Sequence, residues 1–302
     1  MKFSVWPSNG RSWEETSSLA QRAEAQGWHG LWYPDHLMPN TEDGEPADGE
    51  AHECWSILAG LAAVTERIRL GSLVSPVTFH HPVVLAKRAI SVDHISNGRA
   101  VLGIGAGWQV NEHRATGVEL PPLGERVRRF QEAIEIISRM RTEKRVSNDG
   151  TWFTATNLPA DPKPVAVPMP IIVGTSGPRM SRATARWADE WNTWGDVDTL
   201  RQKTEVFDTA CAAVGRDPKT VWRSAQAMIF FVDDAERAAK VLARAPAGRV
   251  LVGSSEFLVE QIGRYAELGV DEFIMPDFNF GGTESERVEA FDRFWSEVAA
   301  QF

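Results

Sequence analysis

The 302-residue chain is poor in the features that mark secreted, zinc-stabilised and membrane proteins. It has only two cysteines, Cys54 and Cys211, and no C-x-x-C pair, so we expect neither a disulfide framework nor a zinc site. No apolar run reaches the roughly 20 residues of a membrane helix. The start of the chain turns polar too soon for a signal peptide. These absences predict a cytoplasmic protein that does not bind membranes.

A surplus of positive charge is also missing. The formal net charge is −9, which argues against the basic face expected of a protein that binds nucleic acid non-specifically. It does not exclude an anionic small molecule, because backbone amides and a few arginines can bind one locally.

Three common catalytic signatures are absent. There is no nucleophile elbow of the form G-x-S-x-G. No pair of histidines has the spacing of metal ligands on one helix, and we expect no metal. The glycines of 103–107 have the spacing G-x-G-x-G, whereas a dinucleotide fingerprint needs G-x-G-x-x-G. The glycines still predict a close approach of the backbone to a ligand.

Short apolar strands alternate with amphipathic helices about eight times. This pattern is typical of a buried parallel sheet, and at this length it favours a (β/α)8 TIM barrel with insertion loops over an open sheet. We expect a single domain over residues 1–302. Residues 39–53 predict a long loop. The predicted strands cover 3–6, 30–33, 68–74, 100–104, 171–173, 190–193, 221–232, 250–253 and 272–276. The main predicted helices cover 12–27, 54–65, 82–95, 124–140, 197–214, 256–267 and 284–300, with a hairpin at 144–157.

Active sites of such barrels lie at the carboxyl ends of the strands, where this chain has several polar and aromatic residues. His36 is a candidate acid or base, although a structural histidine held by Asp35 is an alternative. The turn 174–177 before a helix predicts an anion site, or simply a helix cap. We expect His94 and His113 on helix surfaces. The strand-end candidates are Trp6, Asp35, His36, Ser72, Leu73, Ser75, Ala106, Gly107, Trp108, Asn111, Thr175, Ser176 and Gly177.

Several motifs occur in an order that resembles one known family. They are Tyr33-Pro34-Asp35-His36, the stretch 70–76, the glycine stretch 102–108 with Glu112, the stretch 121–126, and Ile172-Val173-Gly174-Thr175-Ser176-Gly177. Together they resemble the bacterial luciferase-like flavin and deazaflavin oxidoreductases, and in particular the branch that uses coenzyme F420. The resemblance covers nearly the whole chain.

The resemblance implies a barrel that binds a flavin-like ring at the strand ends, and a homodimer. It implies a non-proline cis peptide at Ser72-Leu73, which backs the ring. It also matches His36 to an active-site histidine. The implied cofactor contacts are Asp35, Ser75, Ala106, Gly107, Asn111, Ser176, Gly177, Arg179 and Met180.

One departure from the F420-dependent glucose-6-phosphate dehydrogenases concerns the substrate. Those enzymes carry a glutamate after the glycine that matches Gly107, and this chain has Trp108. Since a tryptophan cannot take a proton, we expect an apolar or planar substrate, with Trp6 and Trp108 along its pocket. Glu112 lies four residues further on a helix, where it could face away.

Three functions follow as hypotheses. The first is an F420-dependent oxidoreductase that transfers a hydride to or from a small organic substrate, with His36 moving the accompanying proton. The second is an FMN-dependent monooxygenase supplied with reduced flavin by a partner reductase. The third is a cofactor-binding barrel without catalysis.

Overall fold

In the computed structural model, which describes residues 1–175 and 177–302, eight parallel strands close into a barrel. Each strand pairs with the next along the chain. The last pairs with the first, with Lys2 opposite Glu272 and Trp6 opposite Pro276. The predicted (β/α)8 fold is therefore confirmed. The strands are β1 (Lys2–Trp6), β2 (Gly30–Tyr33), β3 (Arg69–Ser72), β4 (Ala100–Gly105), β5 (Ile171–Gly174), β6 (Glu190–Trp194), β7 (Trp222–Gln226) and β8 (Glu272–Pro276).

The helices surround the barrel, and all but α4 and α8 bury apolar residues. They are α1 (Trp13–Gln26), α2 (Cys54–Val64), α3 (Pro82–Ile95), α4 (Val110–Thr116), α5 (Leu123–Met140), α6 (Pro178–Trp187), α7 (Val197–Ala213), α8 (Ala235–Leu242), α9 (Ser255–Glu267) and α10 (Glu284–Arg293).

Local sequence explains where α1 begins and ends. The Ser12 hydroxyl accepts a hydrogen bond from the Glu15 amide, which satisfies one of the free donors of the first turn. Gly27 ends the helix at φ +92°, a conformation that a side chain would strain. The longer α5 packs Val127 and Phe130 inward at helical spacing, as its sequence predicts.

The inside of the barrel is filled by side chains. One apolar cluster occupies it, with the partly buried Val74 and Trp194 packed against it. Such a filled interior is the normal state of an eight-stranded barrel, so the barrel has no channel. The buried members of the cluster are Trp6, Trp32, Leu73, Val101, Ile172 and Ile274.

A polar network closes the amino end of the barrel below this cluster. Arg69 forms ion pairs with both Glu190 and Glu272, and each of these glutamates is the first residue of its strand. The indole nitrogens of Trp32 and Trp222 donate to Glu272 at 2.8 and 3.0 Å. Burial raises the pKa of Glu190 to about 7, although Arg69 acts against this shift.

The structure differs from the sequence-based expectation at two places. The predicted strand 221–232 is broken, because the pairing of β7 with β8 ends at Gln226 and the next residues leave the barrel. They form a separate parallel pair, Met228–Phe231 with Val250–Gly253. The predicted helix 284–300 is an α-helix only as far as Arg293, where α10 ends. The chain then continues as a wider π-helical turn and a tighter 3-10 turn.

The loop and hairpin predictions agree with the structure. Residues 34–53 contain neither helix nor strand. The hairpin pairs Arg145–Asp149 with Thr154–Pro159, slightly longer than predicted. Among the described residues, none of the helices has the length and apolar character required to cross a membrane.

Candidate active site

The most informative contact at the carboxyl end of the barrel joins His36 and Glu112. His36 follows β2, and Glu112 lies in the first turn of α4. The Nδ1 atom of His36 is 3.0 Å from Oε1 of Glu112. The second carboxylate oxygen accepts a hydrogen bond from the Leu37 amide at 2.9 Å. Glu112 therefore does not face away from the site.

Asp35 has a different partner. Its Oδ2 atom lies 2.8 Å from Nε2 of His80, and the other ring nitrogen of His80 faces Arg88 at 3.3 Å. The structure therefore does not contain the predicted alternative, in which Asp35 holds His36. A buried carboxylate paired with a histidine stays available to orient a ligand from its remaining lone pairs.

The backbone between β3 and β4 is packed very closely. The Ser72 hydroxyl donates to the Gly103 carbonyl at 2.9 Å and accepts from the Gly103 amide at 3.1 Å. Ser72 is fully buried, and Leu73 points into the barrel interior. The non-proline cis peptide is Leu73-Val74, so the position Ser72-Leu73 implied by the resemblance is wrong by one residue.

Val74 is the residue that this bend brings to the barrel mouth. A Cβ atom on Gly105 would lie 2.6 Å from a methyl group of Val74, and one on Gly174 would lie 3.4 Å away. A side chain on Gly105 would therefore clash with Val74, whereas one on Gly174 would be in ordinary contact with it. Ala106 and Gly107 continue this surface and are partly exposed. Backbone and methyl groups thus form the floor of the barrel mouth here.

Neighbouring side chains hold the backbone of Gly107 in place. Its φ is +83°, its carbonyl accepts a hydrogen bond from Arg126, and a Cβ atom would lie 2.7 Å from the Thr78 hydroxyl. His113 bonds the same hydroxyl at 2.8 Å and stacks on Phe79. His113 is buried, so its predicted surface position is wrong.

Two further polar candidates line the same end. The Ser75 hydroxyl accepts a hydrogen bond from the Trp55 indole at 3.0 Å, which leaves its hydrogen free to be donated. Asn111 is fully buried and donates to the Pro39 carbonyl at 2.8 Å. Within the described part of the chain, its Oδ1 atom has no hydrogen-bond partner. An unpaired buried amide oxygen is costly unless a ligand donor satisfies it.

The start of α6 provides the features of an anion site. Gly177 is the N-cap, and a Cβ atom built there would have no atom within 4 Å. Arg179 is exposed, whereas Met180 packs into the core. A Cβ atom on Gly124 would lie within 3.9 Å of guanidinium nitrogens of both Arg179 and Arg128. The backbone of Thr175 is tied to β6, and the predicted contact at Ser176 lies outside the described residues.

The two predicted aromatic residues of the pocket, Trp6 and Trp108, differ in their depth in the site. Trp6 is only 8% exposed and contacts Trp194 and Phe278, so it forms the base of the mouth. Trp108 is 58% exposed, and its ring lies edge-on to His36. Trp108 therefore stands at the open side of the site.

The comparison with protein families agrees with this geometry. The family model described as luciferase-like monooxygenase matches residues 1–248. The chain belongs to this family. Its members are oxidoreductases, which confirms the predicted enzyme class.

Three relatives illustrate the likeness of this luciferase-like protein. An F420-dependent hydroxymycolic acid dehydrogenase of Mycobacterium tuberculosis is 33% identical over 216 residues, which are 71% of this chain and 58% of that protein. An F420-dependent glucose-6-phosphate dehydrogenase of Kineococcus radiotolerans is 33% identical over 174 residues, which are 57% and 50% of the two proteins. The match thus spans about half the length of these two relatives.

The third relative is a solved structure, an F420-dependent secondary alcohol dehydrogenase in complex with an F420-acetone adduct. It superposes with a TM-score of 0.84 at 17% identity and covers 99% of this chain and 98% of that one. At this identity the likeness shows the fold.

Sequence reasoning did not assign a role in the site to three residues that the structure places there. They are Glu112, which contacts His36, His80, which contacts Asp35, and Arg128, which lies beside Arg179. No local signal identifies any of them, because each contact joins segments that are distant in sequence.

Proposed function

We propose that this luciferase-like protein is an F420-dependent oxidoreductase that transfers a hydride between the deazaflavin and a small organic substrate. The observation that carries the proposal is the placement of His36 beside a backbone floor, with an arginine-flanked helix start nearby. The names of the relatives support F420 over FMN as the cofactor.

The residues present fit a planar ring with an anionic tail. Ala106 and Gly107, which are partly exposed at the barrel mouth, offer the ring a backbone surface. The open N-cap at Gly177, with Arg179 and Arg128 alongside, holds the anionic group. When bound, the deazaflavin supplies the carbon that gives or takes the hydride.

The chain itself supplies positioning and proton transfer. Val74 and the stretch 105–107 support the ring from below. Trp6 and Trp194 keep water from entering below it. His36 exchanges the proton that accompanies the hydride with the substrate oxygen, because its ring is partly exposed towards Trp108.

The position of Trp108 supports an apolar or planar substrate. Its exposed indole offers an apolar wall, and no carboxylate stands there to bind a sugar hydroxyl. Phe278, which is also exposed, extends this wall above Trp6.

The alternative is an FMN-dependent monooxygenase, which the description of the family model favours. The same floor and anion site accommodate either ring. A barrel that binds cofactor without catalysis is the third outcome. The single domain over 1–302, the homodimer and the cytoplasmic location remain predictions.

A cofactor titration distinguishes these functions. The purified protein is titrated with F420 and, separately, with FMN, and ring fluorescence is followed. We expect saturable F420 binding, and oxidation of reduced F420 in the presence of an apolar ketone such as cyclohexanone or of other carbonyl compounds. Preferred FMN binding with oxygen consumption would overturn the proposal.

Two histidine variants separate binding from catalysis. His36→Ala is expected to abolish turnover and leave F420 binding within about threefold. His94→Ala is the control, since His94 is exposed on α3 and bonds only the Lys163 carbonyl among the described residues. F420 binding without turnover in the unmodified protein would favour the carrier function.

A further inference from the structure

We propose that Glu112 is a positioning residue that holds His36 in one tautomer, with Nδ1 protonated and Nε2 presented to the substrate. The inference rests on the proposed function, because it assigns His36 its proton-transfer atom. Neither the sequence motifs nor the names of the relatives assign this role to Glu112.

The contacts of Glu112 fix the orientation of its carboxylate group. One oxygen meets Nδ1 of His36 at 3.0 Å, and the other accepts from the Leu37 amide at 2.9 Å. A carboxylate held at both oxygens by consecutive residues can neither rotate nor move away without losing a bond. Since an ionised carboxylate only accepts hydrogen bonds, Nδ1 of His36 must carry the hydrogen.

The backbone of His36 is held from the opposite side. The Asn9 side chain donates to the His36 carbonyl at 3.0 Å. The imidazole is therefore fixed by a side chain at Nδ1 and by hydrogen bonds to the main chain on both sides. Its side chain is 21% exposed, which leaves room for a substrate at the remaining edge.

The surroundings of Glu112 favour its negative charge and leave that charge to interact with His36. Glu112 is 1% exposed and lies in the first turn of α4, where the helix dipole favours a negative charge. The neighbouring charged groups have other partners. Asp35 pairs with His80, and Arg114, two residues along the helix, pairs with Glu45.

The step assigned to this pair is the movement of one proton. When an alcohol is oxidised, its O–H bond breaks and the proton goes to Nε2 of His36, while the C–H bond breaks and its hydride passes with both electrons to the oxidised deazaflavin. In the reverse direction, Nε2 returns the proton to the oxygen of the reduced carbonyl. In both directions Glu112 stabilises the imidazolium that carries two hydrogens.

This arrangement also explains the tryptophan that follows Gly107. The carboxylate of the site lies behind the histidine at Glu112, and the substrate side is apolar at Trp108. Acid–base chemistry is thereby retained beside an apolar wall.

The test uses Glu112→Gln and Glu112→Ala, with Glu119→Gln as the control because Glu119 is exposed and lies shortly after α4. Nitrogen-15 NMR of the His36 ring in the cofactor-free protein reports the tautomer directly. We expect the Nδ1–H form in the unmodified protein and in Glu119→Gln, and a mixture of tautomers in Glu112→Ala.

Activity supplies the second measurement. Glu112→Gln keeps a hydrogen-bond acceptor at Nδ1 and loses the charge, so we expect kcat to fall roughly 10- to 100-fold with KM little changed. The pH at which activity rises should also move to lower values, because the imidazolium loses its counter-charge. A partial loss of folding would also lower the apparent kcat, but it would reduce the amount of F420 bound at saturation and leave the pH profile unchanged.

Each result has a distinct meaning. An unchanged tautomer in Glu112→Ala, or an unchanged pH profile in Glu112→Gln, would overturn the positioning role. If Glu112→Ala does not fold, Glu112→Gln alone decides through its pH profile. Failure of the unmodified protein to bind F420 would instead overturn the proposed function and leave the NMR result standing.

Discussion

The ring of Trp108 lies edge-on to the ring of His36, with centroids 5.5 Å apart and planes at 81°. This relationship places the most exposed aromatic residue of the site beside the predicted proton carrier. The two residues come from the loops after β2 and β4. These two loops meet at the barrel mouth, although β3 lies between the strands themselves.

Replacing Trp108 with alanine should weaken substrate binding without affecting stability. The indole is largely solvent-exposed, so its removal leaves no cavity in the core. We expect about a tenfold rise in KM for an apolar substrate, equivalent to ~1.4 kcal/mol, and an unchanged melting temperature. Steady-state kinetics and thermal unfolding measure the two effects.

Val84→Ala is the control for Trp108→Ala, because Val84 is a similarly exposed apolar residue on α3. Equal KM values in the Trp108 variant and the unmodified protein would show that Trp108 does not contact the substrate.

Gly103→Ala should destabilise the barrel strongly. The added Cβ atom would lie 1.8 Å from the backbone oxygen of Ser72, which cannot move without breaking the pairing around β3. Such overpacking costs about 3 kcal/mol or more. Urea denaturation measures the loss.

Gly263→Ala is the matched control for Gly103→Ala. Gly263 lies inside α9, and its Cβ atom would meet only the Phe302 ring at 4.0 Å. We expect this variant to gain up to about 1 kcal/mol from helix propensity. A Gly103→Ala protein as stable as the unmodified chain would contradict the close packing of β3 and β4.

The stability of the fold should fall as the pH rises from about 4.5 to about 7, through Glu190. Burial raises the pKa of Glu190 to about 7 in the folded protein, above its value of 4.5 in the unfolded chain. The folded state therefore binds the proton more tightly, and this contribution is complete at low pH and lost as the carboxyl ionises. Urea denaturation at pH 5 and pH 8 measures the change.

The variant Glu190→Gln cannot ionise and should show a smaller loss of stability between pH 5 and pH 8. Glu260→Gln, on the exposed side of α9, should behave like the unmodified protein. An identical pH dependence in Glu190→Gln would show that another group causes it.

Arg179→Met should weaken F420 binding about tenfold, which corresponds to the loss of one charge-assisted contact of ~1.4 kcal/mol. Arg179 lies at the first turn of α6 and approaches Gly124 together with Arg128. Fluorescence titration at low and high salt measures the effect, which should shrink at high salt.

Arg201→Met on α7 is the control for Arg179→Met, since Arg201 is exposed and outside the proposed anion site. Equal weakening in both variants would point to the overall charge rather than to a local contact.

The fold could be predicted from sequence because local patterns determine it. Gly27 and Pro82 mark helix boundaries, and the apolar strands 100–104 and 171–173 read as a buried parallel sheet. The strand-end position of His36 follows from the same pattern.

The contacts of the site could not be predicted in this way. Whether Glu112 faces His36 or solvent depends on how α4 sits against the loop after β2, and no local sequence pattern determines this. The same holds for His113, which is buried because the loop after β3 folds over it. The position of the cis peptide, one residue beyond the expected bond, likewise carries no local signal.

The filled interior of the barrel separates its two ends by a layer of side chains. Arg69, Glu190 and Glu272 lie below a layer of hydrocarbon that includes Leu73 and Ile274, and the histidine of the site lies above it. A proton taken up or released by Glu190 at the amino end therefore acts on the stability of the fold without direct contact with the residues at the mouth. The pH dependence of stability in this protein therefore includes a contribution from a group that takes no direct part in the chemistry at the mouth.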